Sequence, residues 1–218
     1  LIGFIGLISL AYSIKFVFAP LLDSIKIPKF SDIIGFRKSW IITLQITISL
    51  CVILIAIFGH DQGLFLVVAL TSIIAIASAC QDVVIDGYRI ELFDKRDQGL
   101  AASFYIFGYR IGLLLAGGFA LYLADIASWQ VSFLAIAGII ITICCLTFFL
   151  EETRKELKVE KDSFEKWFLE FVVNPLIDFT KNNNFIIIAI LILSFKLADS
   201  FAGSLSIPFL LDIGYTKT

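Results

Sequence analysis

The residues able to do chemistry gather at the end of one apolar run. The run begins at Leu64 and closes with Gln81, Asp82, Asp86 and Arg89, and Ser78 stands one helical turn before Asp82. A run of this length crosses a bilayer as a helix. On a helix Ser78, Asp82, Asp86 and Arg89 fall on one narrow stripe. An ionised carboxylate in hydrocarbon costs roughly 3 kcal/mol on insertion scales, so the stripe requires partners or water. Two chemistries suit such a stripe: proton uptake by a buried acid, and attraction of an anion by a buried cation. Burial favours the neutral carboxyl and a neighbouring cation favours the carboxylate, which makes Asp82 the first candidate for a titrating group, with Gln81 a polar neighbour.

Three further sites carry charge inside apolar runs. Lys15 lies ~12 Å from the inner end of its span and Asp82 ~10 Å from the same face, at 1.5 Å per residue. One reading pairs Lys15 with Asp82; the other lets the lysine stem reach along the helix to the aqueous interface. Arg110 falls near the middle of its span, beside Tyr109. Arginine keeps its proton, so it faces an acid on another helix, water or an anionic ligand. On the same helix Gly108, Gly112, Ala116 and Ala120 recur with Gly117 and Gly118 alongside, a small-residue ridge suited to close helix packing. Lys196 and Asp199 share a face with Ser200 and Gly203. They are either a self-paired couple or markers of a path through the membrane.

The elements that must position these residues are six apolar spans: 1–19, 40–58, 64–88, 99–123, 129–150 and 185–211. Charged loops cover 20–38 and 89–98, short turns cover 59–63 and 124–128, and a polar linker covers 151–184. The charged loops and the linker carry nearly all the Lys and Arg outside the spans, and the short turns carry none. Basic loops stay on the cytoplasmic side, so Leu1 is expected outside. In the linker Phe164, Trp167, Phe168, Phe171 and Val172 recur at helical spacing. Asp162 and Glu165 suit a capping box, and Asn174-Pro175 is expected to end or kink the helix. That helix lies either on the inner membrane face or against the cytoplasmic ends of the spans. Pro208 is expected to kink the last span.

Composition narrows the class. Of 218 residues, 59% are hydrophobic and only 17% charged, below the usual charge of a soluble domain. The expectation is an all-α, multi-pass integral membrane protein with the bilayer as partner. No basic patch with interleaved aromatics points to nucleic acid. Cys51, Cys80, Cys144 and Cys145 lie in apolar runs and read as small buried hydrophobes rather than a disulfide framework. His60, the one histidine, stands in an outer turn. Neither a histidine-based metal site nor a catalytic triad is expected, no cofactor is expected, and an intramembrane enzyme would lack its nucleophile–base pair. With no methionine, the sequence reads as a fragment of a longer protein.

The first charged loop, Pro20-Leu-Leu-Asp23 followed by Gly35-Phe-Arg37-Lys38, resembles the cytoplasmic signature of the major facilitator superfamily, Gly-x-Leu-x-Asp-Arg-x-Gly-Arg-Lys. Pro20 replaces the first glycine, and the distance from Asp23 to Gly35 is longer than in the signature. Within that superfamily, four stretches look like the AmpG-type muropeptide permeases: Ser13 to Asp23, Gln81 to Arg89, Gly108 to Asp125 and Phe195 to Leu205. The acetyl-CoA transporter family shares some of these features. The resemblance implies spans two to seven of twelve. Residues 1–150 would hold five spans of the N-terminal half, 151–184 the linker, and 185–218 the first span of the second half. The missing helices of the full-length chain would then be partners. It further implies proton-driven import of an anionic amino-sugar peptide, GlcNAc-anhydro-MurNAc and its peptides, across the bacterial inner membrane for cell-wall recycling. In that scheme Asp82 and Asp199 are candidates for proton coupling. Lys15, Gln81, Tyr109, Arg110 and Lys196 are candidates for substrate contact. Asp23, Arg37, Asp86 and Arg89 form a cytoplasmic gate, with Arg37 reaching Asp86. The rival readings are a non-functional remnant of a decayed transporter gene and an acetyl-CoA-type transporter.

Overall fold

The computed structural model describes residues 15–59, 64–152, 168–181, 184–195, 197 and 213. Two compact units divide the chain after Val159. All regular structure among the described residues is helical.

In the first unit, α1 (Lys15–Ser24) leads through the short α2 (Phe30–Ile34) into α3 (Phe36–Phe58). Then come α4 (Leu64–Leu92), α5 (Gln98–Leu114), a π-type turn (Leu115–Phe119), α6 (Ala120–Ile126) and α7 (Trp129–Thr147). Among the described residues, four helices are long and apolar enough to cross a membrane: Phe36–Phe58, Leu64–Leu92, Gln98–Ile126 and Trp129–Thr147. They correspond to the second to fifth expected spans. Most of the first expected span lies outside the described residues. Of the sixth, Phe185–Phe195 is an apolar helix, here α9, and nearly all of the rest lies outside them.

The boundaries differ from the sequence reading in ways the side chains explain. Helix α1 runs through Pro20 to Ser24, so the charged loop starts later than expected. A proline forfeits only its own amide bond and crowds one carbonyl, and Ser24 Oγ donates to the Pro20 carbonyl at 2.8 Å. Helix α3 starts at Phe36 rather than Trp40, because Arg37 and Lys38 are buried with partners instead of trailing in a loop. Helix α4 continues past Tyr88 to Leu92, which brings Arg89 and Glu91 onto regular helix. The π-type turn falls where Gly117 and Gly118 relax the helical backbone.

The core forms where α1, α3 and α4 meet. Leu22, Ile41, Leu44, Ala77, Val84 and Tyr88 are buried together, with Phe18, Trp40 and Ile48 packed around them. Helix α3 is central: it packs on α4 along one side and on α7 along the other. Ser132 Oγ donates to the Ala120 carbonyl at 2.8 Å, tying α7 to α6. Helix α5 touches α4 over a short stretch only, and a Cβ at Gly108, Gly112, Gly117 or Gly118 would meet no atom within 4 Å. The glycines of the small-residue ridge therefore face no neighbour among the described residues, whereas Ala120 is buried beside α7. Of the cysteines, Cys51 and Cys144 are buried, Cys80 partly so and Cys145 exposed, all as free thiols.

In the second unit a π-type turn (Leu169–Val173) runs directly into α8 (Asn174–Thr180). Asn174-Pro175 does not end the helix, because the widened turn before it takes up the proline ring. The rings of Phe179 and Phe185 meet edge-on at 6.4 Å. Phe164, Trp167, Asp162, Glu165 and Pro208 lie outside the described residues.

Gly35 sets the entry to α3. Its φ of 110° and ψ of 162° belong to backbone that is essentially reserved for glycine, and a Cβ there would overlap the Glu152 carboxylate. Gly35→Ala should destabilise the chain by about 1–3 kcal/mol. The check is thermal unfolding of the purified protein in detergent, where an unchanged midpoint would contradict this account of the turn.

Candidate functional site

Two charge clusters occupy neighbouring stripes of α4. The first joins three helices around Asp82. Lys15 Nζ on α1 donates to Asp82 Oδ2 at 2.7 Å. Tyr105 on α5 donates its hydroxyl to Asp82 Oδ1. Each carboxylate oxygen thus has a donor from a different helix. One turn further along, Arg89 bonds Asp86 at 3.2 Å, and its guanidinium carbon lies 5.6 Å from the Tyr105 ring centre. The expected stripe of Asp82, Asp86 and Arg89 therefore exists, and Tyr105 lies across it. Of the two readings of Lys15, the structure has the ion pair.

The second cluster surrounds Arg37, which is buried at the start of α3. Its Nη1 bonds Asp23 Oδ1 at 2.6 Å, its Nη2 bonds Glu91 Oε1 at 2.7 Å, and its Nε bonds Glu91 Oε2 at 3.2 Å. The two-pronged contact with Glu91 uses the planar fork that arginine alone offers. Arg37 does not reach Asp86, as the sequence reading expected. Glu91 follows Val84 and Tyr88 on the buried stripe of α4 that faces α3, whereas five residues of helix turn Asp86 roughly 140° away from it. The flat approach of the guanidinium needs Gly87, where a Cβ would stand 2.8 Å from Arg37 Cζ.

The same end holds a reciprocal pair of helix caps. Glu152 accepts from the backbone amides of Arg37 and Lys38, at 3.4 and 3.2 Å, at the N-terminus of α3. Lys38 Nζ donates to the carbonyls of Phe148 and Leu150, at 3.1 and 2.6 Å, just beyond α7. An acid on a helix N-terminus and a base on a C-terminus both oppose the helix dipole. Tyr88 adds a bond from its hydroxyl to the Glu151 carbonyl at 2.7 Å.

Beside Asp82 opens a cavity of about 330 Å³ lined by Gln45, Ser78, Gln81, Asp82 and Tyr109, with Ile48, Ile85, Ile140 and Ile143 as its apolar walls. Gln81 Oε1 is buried with no hydrogen-bond partner among the described residues. A buried acceptor without a donor costs about 1–3 kcal/mol, so the cavity is poised to receive an N–H or O–H group. Asp82, Gln81 and Tyr109 are thus brought together, with Lys15 on the far oxygen of the Asp82 carboxylate. Arg110 is exposed on α5 and is not part of this cavity. Lys196 and Asp199 lie outside the described residues, as does His60. Sequence reasoning missed Tyr105, Glu91 and Glu152. A buried arginine needs a second carboxylate, which pointed to an acid near Glu91. Tyr105 left no comparable signal.

A family profile for the Major Facilitator Superfamily matches residues 2–217. The chain belongs to that superfamily. It is 37% identical over 213 residues to the "Putative transporter AmpG 4" of Rickettsia conorii (strain ATCC VR-613 / Malish 7), covering 95% of this chain and 50% of the relative. It is 34% identical over 211 residues to the "Anhydromuropeptide permease" of Escherichia coli (strain K12), covering 96% of this chain and 41% of the relative. An uncharacterised protein of Haemophilus influenzae (strain ATCC 51907 / DSM 11121 / KW20 / Rd) is 34% identical over 220 residues, covering 100% of this chain and 50% of the relative. No solved structure matches the chain. This superfamily member thus spans about half the length of the curated relatives it matches, and it is a multi-pass inner-membrane protein.

Because Arg37 is buried, its partners are worth more to the fold than the half-exposed Asp86. Glu91→Gln should lower stability by about 1–3 kcal/mol, since it leaves a guanidinium with one ionic partner instead of two. Asp86→Asn should stay within about 1 kcal/mol. Thermal unfolding of the two variants side by side checks the order, and equal effects would count against the Arg37 cluster as a structural clamp.

Proposed function

We propose that the chain is part of a proton-driven permease, not an enzyme, that imports anionic amino-sugar peptides across the inner membrane for cell-wall recycling. The observation that carries this reading is the Lys15–Asp82 ion pair, whose acid lines a cavity together with Gln45, Ser78, Gln81 and Tyr109, in a chain whose relatives include an anhydromuropeptide permease. An ionisable pair inside a membrane helix bundle is expensive to keep and is commonly part of a transport path. In this reading Asp82 takes the proton. The anionic substrate competes for Lys15, while Gln81 and Tyr109 accept and donate hydrogen bonds to its hydroxyl and amide groups. Arg110 and Lys196 add positive charge along the path, and Asp199 is the second acid. Asp23, Arg37, Asp86 and Arg89 hold the cytoplasmic end closed, with Glu91 now added to that group by its two bonds to Arg37. The charged end of the helices faces the cytoplasm, as its basic residues require.

The mechanism rests on charge balance. With Asp82 ionised, the Lys15 ammonium is matched and unavailable to an anion. With Asp82 protonated, Lys15 loses the attraction of that carboxylate and draws the substrate carboxylate more strongly. Proton and substrate therefore enter together, and alternating access carries both across.

Two measurements test this in the full-length parent. Asp82→Asn keeps the shape and removes the titrating proton, so protonophore-sensitive accumulation of labelled muropeptide should vanish. Uphill uptake at wild-type level would remove Asp82 from the coupling role. Single cysteines at positions 30 and 160 should react only from the cytoplasmic side and one at position 62 only from outside; periplasmic labelling at position 160 would overturn the orientation.

A further inference from the structure

We propose that Tyr105 is the positioning residue that lets Asp82 gain and lose its proton without separating α4 from α5; the inference rests on Asp82 being the titrating acid. The two partners of Asp82 differ in one property. A lysine ammonium can only donate hydrogen bonds, whereas a phenolic hydroxyl can donate or accept. Lys15 holds Oδ2 and Tyr105 holds Oδ1. A proton on the Oδ2 lone pair that faces Lys15 would meet the ammonium hydrogens head-on. A proton arriving at Oδ1 forms the new O–H bond facing the tyrosine oxygen, and the tyrosine hydrogen turns away by rotation about its C–O bond. The contact reverses from Tyr105 donating to Asp82 donating. No bond between heavy atoms breaks, and one O–H bond forms from the incoming proton.

The surroundings favour this reversal. The groups facing the carboxylate are Lys15 from α1, Tyr105 and Tyr109 from α5, and Gln81, Asp86 and Arg89 from α4 itself. Among the described residues that bond Asp82, only Tyr105 is able to accept. Its ring also lies against the Arg89 guanidinium at 5.6 Å. That cation–π contact does not depend on the hydroxyl hydrogen, so the ring stays seated while the hydroxyl turns. Meanwhile the Lys15 contact falls from an ion pair to a bond between an ammonium and a neutral carboxyl oxygen, which has lost the attraction between full charges. Protonation therefore loosens α1 from α4 selectively, and α5 remains attached. The contact between α4 and α5 is short, and its polar ties among the described residues include this hydrogen bond and, nearer the charged end, the Gln98 Nε2 bond to the Ile90 carbonyl at 3.1 Å.

The experiment is infrared difference spectroscopy of the purified full-length protein, acid against alkaline, in the region where tyrosine C–O modes distinguish a donating from an accepting hydroxyl. A tyrosine band pair should appear, and it should vanish in both Tyr105→Phe and Asp82→Asn. A band pair that survives either substitution, or is absent from the wild type, overturns the proposal. If the Phe chain fails to accumulate, a fluorinated tyrosine placed at position 105 should move the band, and an unmoved band overturns the proposal equally. This readout needs no substrate. A coupled tyrosine band together with normal uphill uptake by Asp82→Asn would therefore sink the proton-coupling reading alone, and leave the Tyr105–Asp82 switch standing.

Discussion

A guanidinium shielded from water must be answered by carboxylates, and the charged end of this helix bundle is arranged to do so. Arg37 enters the interior at the first turn of α3, with only Asp23 and Glu91 to balance it. Removing one partner of such a group exposes the cost of burying the other. The consequences spread outward from that requirement. Glycine is needed at position 87 to let the guanidinium lie flat on α4. Helix α1 must run past Pro20 to bring Asp23 within reach, and α4 must run past Tyr88 to bring Glu91. The three helices that share the apolar core are thus the same three that share this ion cluster, so packing and charge matching specify one arrangement together.

The caps at the same end solve a second problem of the bilayer. A helix terminus leaves amides or carbonyls without intrahelical partners; after α7 the amides of Phe148, Phe149 and Leu150 turn back onto the last carbonyls, and side chains from distant segments supply the rest. Gly35 has no side chain to offer α3, and the chain beyond Thr147 offers α7 no basic residue in its last turn. Each helix receives its cap from the other: Glu152 serves α3, and Lys38 serves the carbonyls after α7. The exchange locks two antiparallel neighbours at one end only. At the other end of the same helices a wider gap of about 750 Å³ opens among Ile55, Val67, Ala124, Trp129 and Phe133. Toward that end the Ser132 bond to the Ala120 carbonyl still ties α7 to α6, and the lining of the gap is largely apolar and non-directional in its contacts.

Much of this was legible in the sequence, for a physical reason. Apolar runs long enough to span a bilayer have few alternatives to helix, because backbone groups in hydrocarbon must be satisfied within the segment. Hence α3, α4, the α5–α6 span and α7 follow directly from hydropathy. The Lys15–Asp82 pair was one of two readings, since matched depth permits pairing but does not require it. Partners set by rotation about a helix axis were harder to read. Asp86 and Glu91 are both acids at the end of α4, and only the direction of the Val84–Tyr88 stripe tells which one meets Arg37. Glu152 was hidden for another reason: its role arises from a contact between segments far apart in the chain, and no local pattern encodes it. Arg110 is exposed on α5 and does not line the Asp82 cavity, because depth along a span says nothing about which face of the helix carries the residue.

The two ion clusters share α4 but not its faces, and this separation has a mechanical meaning. The Arg37 cluster sits on the stripe of Val84, Tyr88 and Glu91, buried against α3. The Asp82 cluster sits on the neighbouring stripe, against α1 and α5. In the proposed scheme, loss of charge at Asp82 weakens the Lys15 tie on one face of α4 and leaves the Glu91 bonds to Arg37 in place on the other. Asp23 closes the loop, because it lies on α1 a little more than two turns beyond Lys15 and is the other ionic partner of Arg37. Helix α1 is therefore bound to α4 twice, once directly through Lys15 and once through Arg37. Weakening the first tie leaves the second as the pivot. The Lys15 pair and the Arg37 cluster thus join the same two helices at two depths.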